Sequence, residues 1–108
     1  MHPYIILSVA IAFEVFGTML LPLSKSFTLP LPTACILVAY GMSFYCLSIV
    51  AAKMPLAVLY TTWAGCGVFS IALLSYLIYG QELNWQVILG LCLITIGVTL
   101  VNIFKVYN

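Results

Sequence analysis

The chain has 108 residues, 66% of them hydrophobic and 5% charged, with three lysines, two glutamates and a formal net charge of +1. So little polar surface excludes a soluble globule and points to an integral membrane protein. The length leaves room for four spans of ~20 residues with short connections and no soluble domain, and the absence of a basic patch argues against nucleic-acid binding.

The first predicted span covers residues 4–21, YIILSVAIAFEVFGTMLL, about the length that crosses a hydrocarbon core. It lacks a basic flank and a small-residue cleavage site, so no cleavable signal is expected. Its single carboxylate, Glu14, is the most informative residue of the chain. A charge at the centre of a span costs roughly 2.5–3.5 kcal/mol on insertion scales, which makes Glu14 a functional-site candidate. A protonated glutamate that only packs helices is the bland alternative. Tyr4, Leu7, Ala10, Ile11, Glu14, Gly17, Thr18 and Leu21 recur at steps of three and four and form one stripe, with small residues leaving room beside the carboxylate.

Pro22, Ser24, Lys25, Ser26, Pro30 and Pro32 mark the first connection, and the second span is predicted over 33–52, ending at Lys53. Tyr40 and Phe44, four apart, give it an aromatic wall. Pro55 can open the third span, 56–79, where Tyr60 and Trp63 share a face. Aromatic rings near a carboxylate suit a desolvated organic cation, attracting it by roughly 0.5–2 kcal/mol, although such pairs also serve as ordinary core or interfacial residues. Gly65 and Gly67 either permit close packing or let the helix bend, and the sequence does not choose. Gly80, Gln81, Glu82 and Asn84 form the third connection.

The fourth span is predicted over 85–104. Gly90 and Gly97 lie seven apart on one of its faces, where another helix can approach closely, in a dimer or within one subunit. Four helices with one buried carboxylate enclose little space for an organic cation, which favours a dimer. Continuous apolar runs exclude a barrel, so the fold class is all-α with four transmembrane helices. Cys35, Cys46, Cys66 and Cys92 show no metal-ligand or CxxC spacing and are read as small packing residues. Neither a phosphate loop nor a nucleophile–base pair is present, so no enzyme activity and no metal are expected. Lys53 and Lys105 fall on one side of the membrane and Lys25 on the other. A bias of one lysine orients the chain weakly, and insertion both ways is expected.

These segments, in this order and spacing, are similar to the small multidrug resistance family of bacterial proton-coupled exporters, within the drug/metabolite transporter superfamily. The resemblance is carried by PYI at the start, AFEVFGT around Glu14, PLAVLYTTWAGCG around Tyr60 to Gly67, YGQELN at the third connection and GLCLITIGVTLVN in span four. It covers essentially the whole chain and implies an antiparallel dual-topology homodimer in the inner membrane. Glu14 of both subunits would bind protons or a hydrophobic cation, Tyr60 and Trp63 would line the site, and Tyr4, Tyr40 and Phe44 would occupy further cavity positions. With them the stripe residues Leu7, Ala10, Ile11, Gly17 and Thr18 are expected to line the substrate site. The resemblance also implies a kink at Gly65 and Gly67 and a dimer contact through Gly90, Leu93, Ile94, Gly97 and Val98.

Gly17, Thr18 and Asn102 look like the multidrug type of the family, because guanidinium exporters usually carry a tryptophan after the Glu-Val pair and a lysine late in span four. The expected activity is export of aromatic or quaternary ammonium cations by proton antiport, with no cofactor beyond the proton gradient. The expected partners are a second copy, membrane lipids and small organic cations. Pro22 stands where most relatives have lysine and Ser26 where most have glycine, departures that leave open a paired heteromeric transporter. Guanidinium, polyamine or lipid-like metabolite cargo is a further alternative. A rotor-type proton-carrying subunit and a non-transporting assembly partner are the readings from other classes.

Overall fold

The computed structural model describes residues 2–105 and contains four α-helices: α1 (Pro3–Met19), α2 (Pro30–Ala51), α3 (Leu56–Tyr79) and α4 (Trp85–Ile103). Helices α2, α3 and α4, of 22, 24 and 19 residues, are long and apolar enough to cross a membrane, and α1 is an apolar helix of 17 residues. The chain divides into two compact units, residues 1–53 and 54–108. The first is the α1–α2 hairpin and the second the α3–α4 hairpin.

Local chemistry explains the ends of each helix. His2 caps α1, its Nδ1 accepting from the Tyr4 N–H at 3.2 Å while its ring stacks on Tyr4 with centroids 5.6 Å apart. Pro3 comes next at the first helical position, where a missing N–H costs nothing. The helix stops at Met19, two residues before the predicted end of the span, and the chain continues as a 3-10 turn over Pro22–Ser24. Buried Ser24 organises the connection beyond that turn. Its hydroxyl donates to the Leu21 carbonyl at 2.8 Å and accepts from the Phe27 N–H at 3.2 Å. Lys25, Ser26 and Phe27 then run at φ +49°, +61° and +64°, left-handed backbone that side-chain-bearing residues rarely adopt. At Ser26 that conformation is strained.

Helix α2 begins at Pro30, three residues earlier than the prolines suggest when read as breakers. Pro30 and Pro32 occupy the first turn, whose N–H groups have no intrahelical acceptor, so neither ring removes a helical bond. Helix α3 is continuous through Gly65 and Gly67 and ends at Gly80, whose φ of +66° closes the helix onto the Ser75 carbonyl. The Asn84 side chain caps α4 by accepting from the Val87 N–H at 2.9 Å.

The core of the first hairpin contains Leu7, Ala10, Val15, Ile36, Ala39, Leu47 and Val50. Buried Ser43 Oγ ties the two helices together by donating to the Ala10 carbonyl at 2.7 Å. In the second hairpin, Asn102 Nδ2 donates to Thr62 Oγ1 at 2.8 Å and to the Val98 carbonyl at 2.9 Å. No residue of α4 is buried. Its Thr95 and Thr99 hydroxyls donate to the carbonyls of Leu91 and Thr95, satisfying donors that hydrocarbon would otherwise leave unpaired. Cys35 and Cys46 are half-buried, whereas Cys66 and Cys92 are exposed. On an apolar helix a thiol tolerates lipid as well as a core.

Candidate cation and proton site

Glu14 lies past the middle of α1, half-buried on the side that meets α2. Its Oε1 accepts a hydrogen bond from Thr18 Oγ1 at 2.9 Å, one turn along the same helix. Thr18 Oγ1 in turn lies 2.7 Å from the hydroxyl of Tyr40 on α2. A threonine hydroxyl carries one hydrogen, and an ionised carboxylate only accepts. With Glu14 ionised, Thr18 donates to it and Tyr40 donates to Thr18. Protonation of Glu14 supplies a donor at the other end, so the row of hydroxyls is able to reverse its direction.

Gly17 makes the Tyr40 approach possible. A Cβ built at Gly17 would lie 2.9 Å from Tyr40 Cε1 and 3.0 Å from Cδ1, tighter than real side-chain contacts allow. The room left by the small residue beside Glu14 is thus filled by an aromatic ring from the neighbouring helix. The α1 stripe divides by depth. Leu7, Ala10 and Gly17 are buried, while Tyr4, Ile11, Glu14 and Thr18 are half-buried. Phe44, one turn after Tyr40, is exposed.

Tyr60 and Trp63 face one another on α3 of the second hairpin, their ring centroids 5.7 Å apart and their planes tilted by 36°. Tyr60 is 62% exposed, so its ring is open on the surface of the chain. A Cβ on Gly65 would run into Val98 Cγ2, with Ile94 Cγ2 at 3.4 Å. Gly65 therefore serves close packing of α4 on α3, one of the two roles the sequence left open. The same contact engages Val98 and one methyl of Ile94 within the chain, whereas Leu93 is exposed and nothing lies within 4 Å of a Cβ built on Gly90 or Gly97.

Two polar contacts outside the Glu14 row were not legible in the sequence. Ser43 fixes α2 against the α1 backbone one turn before Glu14, and Thr62 receives Asn102 beside Trp63. Neither position carries a charge or an aromatic ring to set it apart in an apolar run. Their only signal is a hydroxyl in mid-span.

Four apolar helices, with one carboxylate in the first of them bonded by a threonine hydroxyl, define a multi-pass membrane protein. The family description Small Multidrug Resistance protein matches residues 2–94. The chain is 39% identical over 105 residues to the Multidrug transporter EmrE of Escherichia coli (strain K12), covering 97% of this chain and 96% of that one. It is 38% identical over 104 residues to the Quaternary ammonium compound-resistance protein QacG of Staphylococcus sp. (strain ST94), covering 96% of each. With the Multidrug resistance protein EbrB of Bacillus licheniformis it shares 39% over 102 residues, 94% of this chain and 86% of that one. The chain belongs to the small multidrug resistance family and is a multi-pass protein of the bacterial inner membrane.

Proposed function

We propose that this protein exports aromatic and quaternary ammonium cations in exchange for protons, with Glu14 as the site for which the two compete. The observation that carries this reading is the Tyr40–Thr18–Glu14 row, a carboxylate within an apolar span that accepts from one neutral hydroxyl, itself bonded to a second. Its negative charge is available to a proton or to an organic cation, and one occupant displaces the other. The reversible hydroxyls allow the row to serve both states of the carboxylate. The names of the relatives support the substrate class, since one is a multidrug transporter and another a quaternary ammonium compound-resistance protein.

Tyr60 and Trp63 would present ring faces to the cation, with Tyr4, Ile11, Tyr40 and Phe44 as further walls. Delocalised or quaternary cations are easily desolvated, which makes their attraction to aromatic faces largest. An antiparallel homodimer, joined through α4 at Gly90 and Gly97, would supply two Glu14 groups to one cavity. Exchange of conformations between two such subunits regenerates the same structure facing the opposite side, giving alternating access between states of equal energy.

The test is uptake into proteoliposomes of purified protein across a panel of quaternary, aryl and guanidinium cations under an imposed pH gradient. Accumulation of quaternary cations that collapses with the gradient supports the proposal. Uptake indifferent to the gradient, or confined to guanidinium, contradicts it.

A further inference from the structure

We propose that the first hairpin carries a binding site for an anionic phospholipid, its acyl chain seated between α1 and α2 and its headgroup on Lys25. A groove of about 290 Å³ opens between the two helices, lined by Phe13, Phe16, Ala34, Cys35, Val38 and Ala39. Every lining side chain is apolar apart from one thiol, and every one belongs to a membrane-spanning segment. An acyl chain fits such a wall, and water does not. Phe16 and Ala34 lie within about one turn of the helix ends that flank the connection, so the groove leads toward the membrane surface at that end.

Positive charge sits where the groove leads. Lys25 is exposed on the connection, and neither carboxylate of the chain, Glu14 or Glu82, belongs to it. The left-handed run begins at Lys25, directly after the 3-10 turn, and keeps the lysine on the outside of the connection. The start of α2 has no side-chain cap, leaving the positive end of its dipole toward the same layer. Ser24 holds the loop in this shape through both its hydroxyl bonds. Leu23 and Phe27 stand exposed on either side of Lys25, at 51% and 54%, and would enter the acyl boundary while the ammonium stays with phosphate. Anionic headgroup, apolar tail and their order along the hairpin together select a phospholipid over a soluble anion or a second protein.

Spin-labelled phosphatidylglycerol and spin-labelled phosphatidylcholine, each added to the full-length protein in phosphatidylcholine vesicles, provide the test, with the motionally restricted fraction read by electron paramagnetic resonance. The expected result is an association roughly fivefold stronger for phosphatidylglycerol, the scale of one lysine at a membrane surface. Lys25→Gln is expected to bring the two lipids to parity while Lys53→Gln leaves the preference intact. Val38→Trp, which fills the groove, is expected to lower the restricted fraction of both lipids. Ala34→Leu repeats that test with a smaller change, helicity being checked in each variant. The preference should survive Glu14→Gln, because it rests on membrane placement and not on the transport reading. Equal association in the parent, a preference retained in Lys25→Gln, or groove variants without effect would overturn the site. Cys35–Cys35 crosslinking between copies would also overturn it by giving the groove to a second protein.

Discussion

Tyr40 owes its place beside Glu14 to the missing side chain at Gly17, and this makes the chemistry of the carboxylate depend on a residue that bears no functional group. Removing the phenol by Tyr40→Phe takes one neutral hydrogen bond from the row, worth about 0.5–1.5 kcal/mol. Quaternary-cation affinity measured by titration calorimetry should fall by the corresponding roughly two- to tenfold. In a Thr18→Val background the same change should have little further effect, because the intermediary is already gone. Additive losses would show that Tyr40 acts independently of Thr18. Trp63→Ala should weaken binding of an aryl or quaternary cation by roughly 1–3 kcal/mol through lost packing and cation–π attraction. It should change guanidinium binding less, and tighter binding of guanidinium by the parent would overturn the substrate assignment. Glu14 was legible in the sequence because the cost of a charge at membrane depth singles it out. The bond from Thr18 to Tyr40 was not, since it spans 22 residues and depends on the register of two helices that periodicity leaves undetermined.

At the scale of elements, glycines of similar appearance have different surroundings. Gly65→Ala would drive a methyl into Val98, a β-branched side chain with little freedom to turn away, and should destabilise the second hairpin by roughly 1–3 kcal/mol. Thermal unfolding in detergent should register the loss, and the added Val98→Ala should restore much of it. Gly90→Ala and Gly97→Ala meet nothing within the chain and should leave the packing of α4 on α3 unchanged. If the exposed α4 face is the seam between copies, those two changes should reduce dimer crosslinking in membranes. Full crosslinking in both variants would move the seam elsewhere. Apolar runs and their breaks were enough to locate four helices, but Pro30 and Pro32 misled at the start of α2. A proline stops a helix from within yet suits its first turn, and which applies depends on where the preceding loop ends. That loop is set by buried Ser24 and three left-handed residues, none of which has a composition typical of such backbone.

For the whole molecule, the three lysines are so evenly divided that reporters fused to the C-terminus should show both orientations in cells, and one added lysine should fix the topology. A single orientation in the unmodified chain would remove the antiparallel homodimer and point to a partner subunit. The most direct measurement of the central claim is proton release from purified protein in weakly buffered detergent when a quaternary cation is added. The parent should release protons on binding, with less cation bound as the pH is lowered because protons occupy the same carboxylate. Glu14→Gln, which keeps the shape and removes the titrating charge, should insert and fold yet release none. Undiminished release from that variant would contradict the account.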